Sequence, residues 1–143
     1  LTTHSADGTE VRAYAKGQGP PVILIGQHDG HRVARIAATL SKRFRALRPH
    51  RRQYRLDLKN DPPCSVGEEA EDIHALSHAI GAPAILDGHS FGGVAALEAM
   101  MASYRHFPGA VIFEPAALIG PPLAGQDGGF RGPTRCGTDD LHP

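Results

Sequence analysis

The chain has 143 residues, of which 41% are hydrophobic and 21% are charged, a composition typical of one globular, water-soluble domain. Lys plus Arg and Asp plus Glu each number 15, so net charge provides no attraction to nucleic acid or to an acidic membrane surface. No apolar run approaches the ~20 residues that a membrane-spanning helix needs, and the first residues lack the basic-then-apolar pattern of a signal peptide. We therefore expect a cytoplasmic protein without a nucleic-acid or membrane partner.

The first third of the chain predicts three strands and a helix. Residues 11–15 alternate between apolar and polar, as in a half-buried strand at the edge of a sheet. Residues 22–25 are an unbroken Val-Ile-Leu-Ile run, which predicts a central strand buried on both faces. Residues 31–44 have apolar side chains at helical spacing, and residues 45–48 follow as a short strand.

The middle of the chain predicts a second helix after the long polar connection 49–63. Ser65 and Glu68 have the spacing of a capping box, in which each side chain accepts a hydrogen bond from the other residue's backbone N–H. The helix runs to Ile80, and Gly81 fits a helix C-terminus. A last buried strand is predicted at residues 110–113, where the sequence is Ala-Val-Ile-Phe.

The motif Gly88-His89-Ser90-Phe91-Gly92 is the strongest signal for chemistry. The apolar run 84–86 precedes it, and the small-residue, helix-like run 94–101 follows it. Strand, sharp turn and helix is the setting of a nucleophile elbow, which lifts the serine hydroxyl clear of the sheet. The Phe91 N–H, at the start of the new helix, then stabilises an oxyanion. The alternative is a plain turn without chemistry.

Alternating strands and helices predict an α/β fold with a mainly parallel sheet and helices on both faces. In such sheets the chemistry lies at the carboxyl ends of the strands. Ser90, the loop 26–30 and Glu114 all fall there. We divide the chain into a core of residues 1–118 and a Gly- and Pro-rich tail of residues 119–143, which is predicted to be loop, disorder or the remnant of a lid region.

These motifs together resemble the N-terminal half of an α/β-hydrolase of the esterase-like branch, over about residues 7–118. The segments that carry the resemblance are residues 7–9, 19–25, 65–80, 88–93 and 111–115. The resemblance implies a truncated α/β-hydrolase fold, with Ser90 as the acyl-accepting nucleophile. It implies the backbone amides of Phe91 and His28 as oxyanion donors, with Gln27 as the one-residue alternative. It further implies a small-molecule ester or acyl substrate, no cofactor and no metal.

The chain departs from the family pattern in three places. It has Gly26-Gln27 where the family usually has His-Gly. After the fourth strand the family carries Asp-Arg and a Gly-rich turn, whereas residues 49–57 contain Arg51-Arg52 and no glycine. The third departure concerns the family's catalytic acid and histidine, which lie on later strands beyond the lid region. No strand is predicted in this sequence after residues 110–113.

The third departure leaves the activation of Ser90 open. Glu114, which follows the last predicted strand, is the candidate catalytic acid, and a structural role is its alternative. No base is identified: His142 lies in the tail, His28 and His31 lie near the oxyanion loop, and the side chain of His89 points elsewhere at an elbow. The alternative function is therefore a catalytically inactive binding or interaction module. An open sheet edge after residues 110–113 favours a homodimer or a complementing chain in that case.

A basic stretch covers residues 42–59. It is interpreted as a solvated face rather than an anion-binding or nucleic-acid patch, because acidic residues follow closely and few aromatic residues are interleaved. It contains eight of the fifteen Lys and Arg residues: Lys42, Arg43, Arg45, Arg48, Arg51, Arg52, Arg55 and Lys59. The two cysteines, Cys64 and Cys136, are predicted to be free thiols.

Overall fold

The computed structural model describes residues 1–26, 30–58 and 64–116, which form a six-stranded sheet with helices on both faces. The strands are β1 (Thr2–His4), β2 (Glu10–Lys16), β3 (Pro21–Ile25), β4 (Arg45–Pro49), β5 (Ile85–His89) and β6 (Ala110–Phe113). The helices are α1 (Gly30–Leu40), α2 (Val66–Ile80) and α3 (Phe91–Ala102), with a short 3-10 helix at Arg52–Tyr54. The predicted α/β class is confirmed.

The strand order in the sheet is β1-β2-β4-β3-β5-β6. The pairs β3–β4, β3–β5 and β5–β6 are parallel, whereas β1–β2 and β2–β4 are antiparallel. The prediction that residues 11–15 form an edge strand is wrong, because β1 pairs along the outer side of β2 and places Thr3 opposite Val11. The mainly parallel sheet is confirmed for the four strands that lead to the site.

Strand β3 lies in the middle of this sheet, and all five of its residues are buried. Val22 and Leu24 belong to the apolar cluster on the α1 side of the sheet. Ile23 and Ile25 belong to the larger cluster on the other side, under α2 and α3. The unbroken apolar run therefore has the role that its sequence predicts, since a strand covered on both faces has no side for polar residues.

Helix α2 has the predicted capping box. The Glu68 N–H donates to the Ser65 hydroxyl at 3.2 Å, and the Glu68 carboxylate accepts from the Ser65 N–H at 2.8 Å. The helix ends at Gly81, whose φ of 70° is in the left-handed region that glycine adopts without strain. Among the described residues, no helix combines the length and the apolar character needed to cross a membrane.

Helix α1 is shorter than predicted, because it ends at Leu40 rather than continuing through Phe44. Backbone hydrogen bonds from the Lys42 N–H to the Thr39 carbonyl at 3.4 Å and from the Arg43 N–H to the Leu40 carbonyl at 3.0 Å close its last turn. The chain then enters β4 directly at Arg45. Apolar spacing alone does not predict this stop, since Phe44 still packs on the α1-side cluster although it lies outside the helix.

Three arginines of the basic stretch are buried rather than solvated. Arg52 donates to Asp72 at 2.9 Å and to Asp7 at 2.7 Å, and Arg55 donates to Asp57 at 3.0 Å. The third, Arg51, contacts the candidate site. The interpretation of the stretch as a solvated face is wrong for these three residues, because each is buried and pairs with a carboxylate, which is distant in sequence for Arg51 and Arg52 and two residues away for Arg55.

Candidate active site

Ser90 lies at the sharp turn between β5 and α3, and its backbone angles are φ 56° and ψ −126°. A positive φ is strained for a residue with a side chain, so the surrounding structure must hold it in place. The Ser90 N–H donates to the Phe113 carbonyl at 3.1 Å, and the Ser90 carbonyl accepts from the Gly93 N–H at 2.9 Å. The predicted strand, sharp turn and helix are all present, and Ser90 has the backbone geometry of a nucleophile elbow.

Two glycines allow α3 to pack directly on the sheet at this turn. A Cβ on Gly92 would lie 2.0 Å from the carbonyl oxygen of Ile25, and a Cβ on Gly88 would lie 2.7 Å from the Cα of Gly93. Neither distance is compatible with a side chain. The turn therefore brings the start of α3 against the end of β3, the strand that leads into the predicted oxyanion loop.

Phe91 is the first residue of α3, so its N–H has no acceptor within the helix. The Ser90 side chain makes no capping hydrogen bond to the helix, and its hydroxyl is thus not committed to a structural role there. The other predicted oxyanion donor, His28, and its alternative Gln27 lie outside the described residues. The roles of Phe91 and His28 in stabilising an oxyanion stay predictions.

Glu114 follows β6 and lies beside the elbow. Its backbone has a φ of 45°, which is strained for a non-glycine residue. Its carboxylate lies 3.7 Å from Nε2 of His89, and the His89 ring stacks on Phe113 with ring centroids 5.5 Å apart. The structure thus brings Glu114 to His89, the neighbour of Ser90 in the chain, and the catalytic role of Glu114 stays a prediction.

Of the candidate bases His28, His31 and His142, the structure describes His31. His31 is exposed in the first turn of α1. His142 lies outside the described residues. Within residues 1–26, 30–58 and 64–116, no group of three or more His, Cys, Asp or Glu side chains is arranged to hold a metal ion.

Arg51 is a site residue that the sequence analysis missed. Its Nη1 donates to the Gly26 carbonyl at 2.9 Å, and its Nε donates to Glu69 at 2.7 Å. Its guanidinium lies 5.4 Å from the centroid of the Tyr54 ring and 5.4 Å from that of the Phe91 ring. The sequence signal for it is the Arg51-Arg52 pair, which the interpretation of the basic stretch places on a solvated face.

Asp87 is a second missed residue, an acid within the otherwise apolar start of β5. It lies two residues before His89, on the same face of the strand, and it is partly buried. Burial raises the pKa of the Asp87 carboxyl above its usual value, and the nearby His89 only partly opposes this effect. The charged carboxylate is therefore held in an unfavourable position.

Asp87→Asn is expected to raise the free energy of unfolding by about 1 kcal/mol at pH 7, the lower end of the cost of a poorly solvated polar group. The gain should disappear near pH 3. Asp87 binds its proton more tightly in the folded protein, so the penalty is absent below the ordinary pKa of 3.8 and appears as the pH rises through the folded value.

Urea unfolding followed by circular dichroism at pH 3, 5 and 7 measures this difference. Glu98→Gln, at an exposed position on α3, is the matched control and should change the free energy of unfolding by less than about 0.5 kcal/mol. If Asp87→Asn raised the free energy of unfolding equally at all three pH values, the charge of the Asp87 carboxylate would not be what destabilises the fold.

Comparison with known proteins gives structural relatives only. No protein-family model matches the chain, and no curated protein matches it. An α/β hydrolase from Sphaerobacter thermophilus shares 32% identity with a TM-score of 0.69, covering 80% of this chain and 45% of its own. An esterase from Rhodococcus shares 24% identity with a TM-score of 0.63, covering 80% of this chain and 45% of its own.

A third solved structure, an α/β hydrolase fold protein from Burkholderia ambifaria, shares 22% identity with a TM-score of 0.69. The match covers 84% of this chain and 46% of that one. The two matches below 25% identity establish the fold alone. The chain thus spans just under half the length of these relatives.

Proposed function

We propose that this chain, which belongs to the α/β-hydrolase fold family, carries the nucleophile of a serine hydrolase that cleaves carboxylic esters or related small acyl compounds in the cytoplasm. The observation that supports this most directly is the strained backbone of Ser90 between β5 and α3. A strained conformation costs about 1–3 kcal/mol and persists where the fold enforces it, commonly at functional sites. The Rhodococcus esterase supports the choice of substrate class by likeness of fold.

In the proposed reaction, the Ser90 Oγ attacks the acyl carbonyl carbon while a base takes the hydroxyl proton. The carbonyl oxygen becomes an oxyanion, which accepts hydrogen bonds from the backbone N–H groups of Phe91 and His28. Collapse of this intermediate breaks the bond to the leaving alcohol, which receives the proton from the base. Water then attacks the acyl–Ser90 ester, and the carboxylic acid and the free hydroxyl are released.

The proposed acid is Glu114, which lies at the carboxyl end of β6 beside the Ser90 turn. The base is a histidine, because its neutral imidazole takes a proton near neutral pH. The candidates are His28, His31 and His142, or a histidine of a complementing chain. His89 is a less suitable base, since its ring stacks on Phe113 and its Nε2 faces Glu114.

The test is labelling of the purified chain with a fluorophosphonate, which reacts with activated serines, followed by intact mass measurement. One adduct is expected, and Ser90→Ala should abolish it and lower the hydrolysis of p-nitrophenyl acetate by about 10³-fold or more. Ser103→Ala is the matched control, because the Ser103 hydroxyl lies 3.2 Å from Nδ1 of His106, far along the chain from the elbow. An adduct that persists in Ser90→Ala, or none on a folded chain, would contradict the proposal.

A second candidate function is a non-catalytic interaction module. In the described part of the chain, β6 pairs with β5 on one side only, and the β6 residues Val111 and Phe113 are 62% and 56% exposed. A free strand edge with apolar neighbours pairs readily with another strand. This candidate predicts no adduct at Ser90 together with a dimer in analytical ultracentrifugation, which Val111→Lys would dissociate.

A further inference from the structure

Arg51 contacts three separate parts of the fold. Its Nη1 binds the carbonyl of Gly26, the residue directly after β3, at 2.9 Å. Its guanidinium lies over the ring of Phe91, the residue directly after Ser90. Its Nε donates to Glu69 of α2 at 2.7 Å. One side chain therefore connects the end of β3, the start of α3 and the first turn of α2.

These contacts require an arginine. The guanidinium is planar and presents donors in several directions, so it binds a carboxylate and a carbonyl at once while its faces lie against the rings of Tyr54 and Phe91. The side chains of Arg51 and Glu69 are only 4% and 3% exposed. A buried, hydrogen-bonded ion pair holds its geometry more rigidly than a solvated one, because water does not compete for its donors.

The place of Arg51 matters because of what adjoins its two backbone contacts. Ser90 precedes Phe91, and Gly92 packs its backbone on Ile25, the residue before Gly26. Arg51 lies across the same junction and adds a hydrogen bond and a ring contact to that packing. Of these three contacts between β3 and α3, only the close approach of Gly92 to Ile25 would remain without the Arg51 side chain.

We propose that Arg51 is a positioning residue for the Ser90 site, holding the backbone at Gly26 and the Phe91 residue at a fixed separation. The inference rests on the proposed function, in which the Phe91 amide stabilises the oxyanion. Because hydrogen bonds to a developing charge depend steeply on geometry, loosening this junction reduces the rate of acylation more than it reduces binding.

The variant that tests this is Arg51→Gln combined with Glu69→Gln. A single Arg51→Gln change leaves the Glu69 carboxylate buried without its cation and risks unfolding the chain. The double variant replaces the ion pair by two amides, and it shortens the side chain that donates to Gly26 and removes the cation over Phe91. Arg43→Gln, which removes an exposed cation from the neighbouring turn, is the matched control.

Two readouts are used on the intact chain. Fluorophosphonate labelling at several probe concentrations separates the maximal rate of acylation from probe binding, and we expect the maximal rate to fall by about 10–100-fold with binding changed less than about threefold. Amide ¹⁵N relaxation is independent of activity, and we expect the order parameters of Gly26 and Phe91 to fall from about 0.85 toward 0.6 while those of β3 stay unchanged.

The outcomes separate this inference from the proposed function. If the parent chain does not label, the proposed function fails, and the relaxation measurement alone decides whether Arg51 fixes the junction. Unchanged order parameters at Gly26 and Phe91 in the folded double variant overturn the inference. An unchanged maximal labelling rate in a chain that does label also overturns it, since the contact would then be structural and without effect on Ser90.

Discussion

Gly92→Ala is expected to lower the free energy of unfolding by about 3 kcal/mol, at the upper end of the usual cost of overpacking. The new methyl group would lie 2.0 Å from the Ile25 carbonyl oxygen and 2.9 Å from the Ile25 Cγ2. Neither neighbour can move easily, because Ile25 is part of the buried central strand β3. Helix α3 must therefore shift away from the sheet, and the Ser90 turn shifts with it.

Thermal and urea unfolding followed by circular dichroism measure this loss. Gly109→Ala is the matched control, since a Cβ at Gly109 has no neighbour within 4 Å and its backbone does not need a positive φ. If Ser90 is activated, Gly92→Ala should also lose fluorophosphonate labelling in whatever fraction remains folded. A stability equal to that of Gly109→Ala would show that α3 does not pack on β3 as described.

Much of this fold is encoded in short stretches of the sequence. The Val-Ile-Leu-Ile run predicts β3 because only a strand covered on both faces has no polar positions, and the structure confirms it. The Ser65–Glu68 pair predicts the start of α2, because a capping box acts within one turn. Each of these signals depends on contacts that are close along the chain.

Contacts between distant residues were not predicted. The ion pairs of Arg51 with Glu69 and of Arg52 with Asp7 span 18 and 45 residues, and nothing near either arginine indicates its partner. The short strand β1 was missed for a related reason. Its three residues carry no apolar periodicity, and β1 exists because β2 offers it a free edge.

The candidate site also has one part that nearby residues predict and one part that depends on contacts between distant residues. The turn at Ser90 follows from Gly88 and Gly92 within five residues, so the sequence predicts its position and geometry. The approach of Glu114 to His89 depends on β6 lying parallel beside β5, which pairs His89 with Phe113. Sequence order alone suggests Glu114 as a residue at the carboxyl end of a strand, but it does not indicate that His89 is its neighbour.

Arg52→Met is expected to lower the free energy of unfolding at pH 7 by about 4 kcal/mol, the typical cost of removing one partner from a buried ion pair. Arg52 donates from Nε and Nη2 to the two oxygens of Asp72 and from Nη1 to Asp7, and Glu68 lies 3.7 Å from Nη1. Burial opposes the charge of Arg52, but the hydrogen bonds to Asp72 and Asp7 outweigh it and raise the pKa of Arg52. Methionine fills the space and leaves these carboxylates without their shared cation.

The pH dependence of this loss identifies its electrostatic origin. Burial raises the pKa of Asp7, but the hydrogen bonds from Arg52 and Thr9 lower it by more than burial raises it. The pKa of Asp7 in the folded protein therefore lies below its ordinary value of 3.8. A carboxylate whose pKa is lowered by folding stabilises the protein at pH values above its pKa in the unfolded chain. This stabilisation is lost as the pH falls through its pKa in the folded protein. The difference in the free energy of unfolding between the parent and Arg52→Met should therefore be largest near pH 7 and smaller at pH 3. Urea unfolding at both pH values measures it.

Arg43→Met, at an exposed position, is the control, and its free energy of unfolding should differ from that of the parent by less than about 0.5 kcal/mol. A gap of the same size at both pH values would mean that Arg52 stabilises the fold by packing its side chain rather than by holding the carboxylates of Asp7 and Asp72.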